Sequence, residues 1–181
     1  AKAILAQDSL SKILLDKDRV FSEIPAPSDK SYRVLPPDEL HFYRCCNEFW
    51  WVQNNVGKGL WREELTYALE QLTFFIRPEL LNMLSWYAGI KNGAPCAVGK
   101  AGKYLWRYLP PEDWHQFLAT YPAAETEEIW RAVFTACDLF DRKAREVAEE
   151  YQLSYNTTEA ENSQRFLRKT KALPQNAQEI D

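Results

Sequence analysis

The chain has 181 residues, 46% hydrophobic and 27% charged, which suffices for one packed domain or one domain plus part of another. With a net charge of −4 and a sequence pI of about 5.4 it lacks the basic footprint of a nucleic-acid binder. No stretch approaches the roughly 20 apolar residues of a membrane span, and nothing reads as a secretory leader, so the expected setting is the cytoplasm, without membrane or nucleic-acid partners.

Residues 1–34 differ in character from the rest of the chain. Ile13-Leu14-Leu15, closed by Asp16-Lys17-Asp18, predicts a strand and its turn. Ile24-Pro25-Ala26-Pro27-Ser28-Asp29-Lys30 predicts an extended linker, because two prolines preclude regular structure. A lone strand leaves its backbone groups unpaired, so it is expected to pair with a second copy or to belong to a sheet outside this chain. The chain opens at Ala1 in mid-pattern and holds one methionine, Met83, which suggests a processed or truncated polypeptide.

Helix signals begin at Pro36-Pro37-Asp38-Glu39 and predict a helix from about Asp38 to Val56, weakened or bent by Gly57 and Gly59. A second helix is expected from Leu60 to Ile76, with Arg77-Pro78 ending it and Pro78 starting a third. Lys91–Pro95 reads as a loop, Lys100–Tyr108 as a short helix, and Pro110-Pro111 as the start of another. Thr126 caps a long helix to about Tyr151, and residues 152–181 form a polar tail with one frayed helix around Glu159–Lys171. The expected class is mainly α, a bundle of five or six helices.

Cys45, Cys46, Cys96 and Cys137 form no C-x-x-C pair, and His41 and His115 have no ligand partner at useful spacing, so the thiols read as small core residues and no metal site is expected. On the first helix, Arg44, Glu48, Trp51, Asn55 and, if the helix continues past Gly57, Lys58 and Arg62 fall within an arc of about 80°. Cys45, Phe49, Trp50, Val52 and Val56 take the other side, as core. Two readings of the polar arc stay open. It is a solvated face with i, i+4 pairs such as Arg44–Glu48, or a ligand face in which an acid serves as base and cations balance phosphate. Gly93–Ala101 is not a Walker A loop, since five residues separate its glycines and Ala101 replaces the magnesium-holding hydroxyl. Lys100 and Lys103, each after a glycine, read equally as an anion contact or as two solvated lysines.

Several strings occur in order: Leu14-Leu15-Asp16-Lys17-Asp18, Ile24–Lys30, Cys45-Cys46-Asn47-Glu48-Phe49-Trp50-Trp51-Val52, and Lys58-Gly59-Leu60-Trp61-Arg62. With Arg77-Pro78-Glu79-Leu80-Leu81, Met83-Leu84-Ser85-Trp86, Gly99-Lys100 and Lys103-Tyr104, the chain resembles the aminoglycoside (streptomycin) 6-adenylyltransferases over roughly residues 8–151. The resemblance implies AMP transfer from ATP to the 6-hydroxyl of streptomycin, and so antibiotic resistance. It implies an N-terminal α/β nucleotidyltransferase domain whose Gly-Ser turn, Asp-x-Asp pair and third Asp hold Mg²⁺, and a helical C-terminal domain over the antibiotic. No Gly-Ser occurs in this chain, and Asp16-Lys17-Asp18 matches the family's late strand instead of its metal motif. Residues 1–35 are then the end of the missing nucleotidyltransferase domain with its remnant strand and linker, 36–151 the substrate-side domain, and 152–181 a tail. Glu48 is implied as the base or an anchor of the cationic drug, and Trp51 as a stacking platform. Lys58, Arg62, Lys100 and Lys103 are implied for the triphosphate, and Arg44 and Asn55 for substrate or nucleotide. ATP and Mg²⁺ belong to the complete enzyme, with no tight binding expected of this chain alone, which is expected to be inactive. The alternative is a non-catalytic helical interaction or oligomerisation module.

Overall fold

The structure is a computed structural model and describes residues 8–18, 20–21 and 25–177. Among them are six α-helical segments: α1 (Glu39–Trp61), α2 (Leu65–Gln71), α3 (Arg77–Asn92), α4 (Pro111–Leu118), α5 (Thr126–Tyr151) and α6 (Thr157–Ala172). The mainly α class expected from periodicity is the one observed.

The expected strand is not there. Residues 13–15 lie outside any strand, and Leu14 and Leu15 are 87% and 71% exposed. No neighbouring strand among the described residues pairs with their backbone, and no apolar surface covers the two leucines, so nothing stabilises a strand here. The chain ahead of this segment is tied down at Ser9, whose Oγ donates to Ser28 O at 2.7 Å and meets Ser31 Oγ at 2.7 Å. Of the expected linker, Ile24 lies outside the described residues, and Pro25–Ser28 is without regular structure.

Asp38 caps α1, its carboxylate accepting from the His41 backbone N–H at 2.8 Å. The helix then runs unbroken through Gly57 and Gly59, contrary to the expected bend. Those glycines serve close approach: a Cβ at Gly57 would stand 2.9 Å from Leu167 of α6, and one at Gly59 would stand 2.9 Å from Tyr67 of α2. Close packing against these neighbours outweighs the entropic cost of glycine in a helix.

Arg77-Pro78 also behaves differently from expectation. The chain stays helical from Leu65 to Asn92, passing through a π turn at Leu72–Ile76 in which the Arg77 N–H reaches Leu72 O. Proline in a helix loses an i→i−4 bond and crowds the carbonyl four residues back. The widened turn just before Pro78 relieves that crowding, so the helix is adjusted instead of ended. Buried Arg77 locks the turn to the end of α4, donating to Thr120 Oγ1 at 3.0 Å and Thr120 O at 2.8 Å, with its guanidinium 3.6 Å from the Tyr121 ring centre. Lys100–Tyr108, expected as a short helix, forms two separate 3₁₀ turns, with Ala101 between helical neighbours at a left-handed φ of 56°.

The core lies between α1, α3, α5 and α6. Phe49 of α1 stacks on Phe140 of α5 with ring centres 3.7 Å apart, and Trp50 meets the same ring edge-on at 5.7 Å. The residues read as the apolar side of α1, Cys45, Phe49, Trp50, Val52 and Val56, are all buried. The four cysteines are free and buried. The helix in the polar C-terminal segment belongs to this core: α6 buries Ala160 and Leu167 against α1, and its Ser163 hydroxyl donates to Trp50 O at 2.9 Å.

A charged cluster is buried where α4 meets α5. Lys143 of α5, its side chain 2% exposed, lies 2.7 Å from Asp113 of α4 and 2.7 Å from Glu146, beneath the Tyr87 ring at 3.8 Å, while Arg142 holds the other Asp113 oxygen. Burial pushes the Asp113 carboxyl up, but the hydrogen bonds from Lys143 and Arg142 more than offset it and hold the group below the ordinary carboxylate value. A depressed folded-state pKa adds stability above the unfolded-state pKa and loses it as pH falls through the folded value. Urea unfolding should therefore show wild-type stability falling below about pH 4, with a flatter profile there in Asp113→Ala. At pH 7 the same substitution should cost about 3 kcal/mol, because it leaves the Lys143 ammonium with Glu146 alone. Leu167→Ala should cost about 2–5 kcal/mol and loosen α6 first, seen as loss of amide-exchange protection over Thr157–Ala172.

Candidate functional site

The polar arc of α1 does not face one site. With its apolar side taken by α5 and α6, the arc emerges along two seams. Arg44 and Glu48 open into a groove of about 520 Å³ between α1 and α3, together with His41, Asn47, Glu79, Asn82 and Trp86. Trp51 instead lines a groove of about 470 Å³ between α1 and α6. Asn55 and Lys58 are half-buried and Arg62 is exposed, and none of the three lines either groove. Lys100 and Lys103 lie in the turns after α3 and line neither groove.

The ion pair Arg44–Glu48, the ordinary reading of the spacing, does not form. Glu48 therefore presents to the groove a half-buried carboxylate without a partner among the described residues. Across from it, Glu79 of α3 accepts from Asn82 Nδ2 at 3.1 Å and keeps a second oxygen. Two carboxylates, two carboxamides, the Arg44 guanidinium and the His41 ring line the groove around an indole, a set of donors and acceptors able to pair with charged and hydroxyl groups. The α3 half of this groove was not singled out from sequence. Its signal was there, since Glu79, Asn82 and Trp86 recur at helical spacing.

The turns after α3 carry a second feature. Lys103 Nζ lies 4.8 Å and the Arg107 guanidinium 4.2 Å from the Tyr104 ring centre, so two cations share one ring. Arg107 was absent from the candidates read in the sequence, although its i, i+4 spacing from Lys103 placed it there.

Among the described residues no three His, Cys, Asp or Glu side chains converge to hold a metal ion. Glu48 and Glu79 supply two carboxylates without a third ligand, so the described residues do not make up the magnesium site that the family resemblance implies. No helix is long and apolar enough to cross a membrane among the described residues.

A family model described as streptomycin adenylyltransferase matches residues 1–170. The chain is 36% identical over 148 residues to the aminoglycoside 6-adenylyltransferase of Bacillus subtilis (strain 168), covering 82% of this chain and 52% of that protein. It is 35% identical over 161 residues to the Staphylococcus aureus aminoglycoside 6-adenylyltransferase, covering 89% and 57% respectively. It thus spans about half the length of the curated relatives it matches. The fold is similar to a solved aminoglycoside 6-adenyltransferase from Bacillus subtilis, with a TM-score of 0.71 and 30% identity, over 87% of this chain and 59% of that one. Helical architecture and sequence point the same way, and the chain belongs to the streptomycin adenylyltransferase family.

Proposed function

We propose that this chain is the helical, substrate-side part of a cytoplasmic enzyme that transfers AMP from ATP to a hydroxyl of streptomycin and so confers resistance. The observation that carries the proposal is the α1–α3 groove, in which a Glu48 carboxylate unpartnered among the described residues faces Glu79 in a chain of this family. Guanidinium or ammonium groups of the antibiotic would be drawn to the two carboxylates, and its hydroxyls to Asn47 and Asn82. Glu48 is the proposed base. It takes the proton of the acceptor hydroxyl as that oxygen bonds to the α-phosphorus of ATP and the bond to pyrophosphate breaks. Lys58, Arg62, Lys100 and Lys103, with Arg107, are the proposed contacts for phosphate charge, and Arg44 and Asn55 position substrate or nucleotide beside them. Mg²⁺ and most nucleotide contacts would come from the nucleotidyltransferase part of the relatives, of which residues 1–35 would be the end. The chain alone would then bind the antibiotic without turning it over.

In a full-length enzyme containing this chain, Glu48→Gln should lower kcat about 10²-fold or more, and a mutant with wild-type rates would overturn the base assignment. Glu79→Gln should raise KM for streptomycin and leave kcat nearly unchanged. For the 181-residue chain, streptomycin should raise the melting temperature, and Glu48→Gln with Glu79→Gln should abolish the rise.

A further inference from the structure

The α1–α6 groove differs in chemistry from the carboxylate groove beside it. Tyr43 and Trp51 stand 54% and 67% exposed on its rim, on a helix that buries Phe42, Phe49 and Trp50 almost completely. Facing them, α6 and its cap place Asn162 and Asn156, whose Oδ1 atoms accept from Arg165 and from the Glu159 backbone N–H and whose amide NH₂ groups are left to donate. Asn54 lines the same groove, and its Oδ1 is buried without a hydrogen-bond partner, a capacity the fold leaves unmet. Glu159 is the one charged lining residue among those described, and its Oε1 already accepts from Asn47 Nδ2 at 3.1 Å.

We propose that this groove binds an uncharged, hydroxyl-rich six-membered ring, stacked on Trp51 with its hydroxyls on Asn54 and the α6 carboxamides. The apolar C–H face of such a ring suits the negative face of an indole. Its hydroxyls both donate and accept, as carboxamides do. The Asn54 Nδ2, not buried as its Oδ1 is, donates to a ring hydroxyl. A phosphate finds no cation among the lining residues, the nearby Arg165 donating to Asn162 Oδ1, and a cationic ring finds one carboxylate, of Glu159, with one oxygen engaged by Asn47. Glu48 and Trp51 are three residues apart on α1, a rise of about 4.5 Å, and the Asn47–Glu159 bond is the partition between their grooves. One ligand can therefore place a cationic ring beside Glu48 and a linked sugar on Trp51. The identity of that ligand as an aminoglycoside rests on the function proposed above, whereas the ring site does not.

The test is a titration of the full chain, isotopically labelled, with methyl α-glucoside, followed by the side-chain amide resonances of Asn54 and Asn162. A saturable shift in the millimolar range is expected, at least tenfold weaker in Trp51→Ala. Because Trp51 is on the surface, that variant should keep the wild-type melting temperature. No saturable shift, a shift that Trp51→Ala leaves intact, or adenosine acting on the same resonances at lower concentration would each overturn the ring site. Streptomycin separates the two proposals: both of its six-membered rings carry charge, so Glu48→Gln with Glu79→Gln is expected to weaken its binding and Trp51→Ala to leave it nearly unchanged. A chain that binds methyl glucoside through Trp51 but not streptomycin keeps the ring site and loses the aminoglycoside reading. A chain that binds streptomycin but shows no Trp51-dependent shift with methyl glucoside loses the ring site alone.

Discussion

The Phe49–Phe140 stack, with rings 3.7 Å apart and nearly parallel, sets what the rest of α1 can do. It fixes the apolar side of α1 against α5, while Gly57 brings α6 within side-chain contact of the same helix and Gly59 brings α2. A helix covered by so many neighbours shows part of its polar arc along the seams between them, while Asn55, Lys58 and Arg62 lie outside both. Both grooves are such seams, and each pairs one edge of α1 with a stripe of polar side chains from the adjoining helix.

The charges fall into two populations that burial and partners distinguish. Asp113, Lys143 and Arg142 neutralise one another where α4 meets α5, and Lys143 also lies on the Tyr87 ring. Such a group is committed, because moving any member leaves another charge uncompensated in a poorly solvated place. Asp141 is likewise engaged, accepting from the Tyr155 hydroxyl, which in turn accepts from Trp50 Nε1. Glu48 has no such partner among the described residues. A carboxylate at a groove wall without a bond of its own is free to meet a ligand, and this difference, more than its position on a helical wheel, is what the proposed role of Glu48 rests on.

Some of this was legible in the residues. Asp38 stops the chain entering α1 earlier, since its carboxylate satisfies a first-turn N–H, and the spacing of Phe49, Trp50, Val52 and Val56 marks the buried side correctly. The apolar run at residues 13–15 misled, because three branched residues look like a strand whether or not a neighbour exists to pair with them. Gly57 and Gly59 misled in the opposite sense: glycine weakens an isolated helix, and only the nearness of Leu167 and Tyr67 shows why it is used here. Pro78 carries its own helix-breaking signal, but not the π turn that absorbs it. The helix of the polar C-terminal segment looked marginal, since its apolar residues are few, yet Ala160 and Leu167 are buried and Glu159 and Ser163 add hydrogen bonds to α1.

By itself, then, the amino-acid order determined the helical class, which side of α1 is core, and the set of polar side chains from which a site could be built. These depend on local periodicity and capping, which act within a few residues. Tertiary structure alone decided how that set is divided. It joined Glu48 to Glu79, sent Trp51 to α6, and left Lys100 and Lys103 apart from both. The reason is geometric: a helical wheel reports direction around one axis, whereas a site is made where neighbouring helices leave a gap, and the positions of the neighbours depend on contacts across more than a hundred residues, such as Ser163 with Trp50.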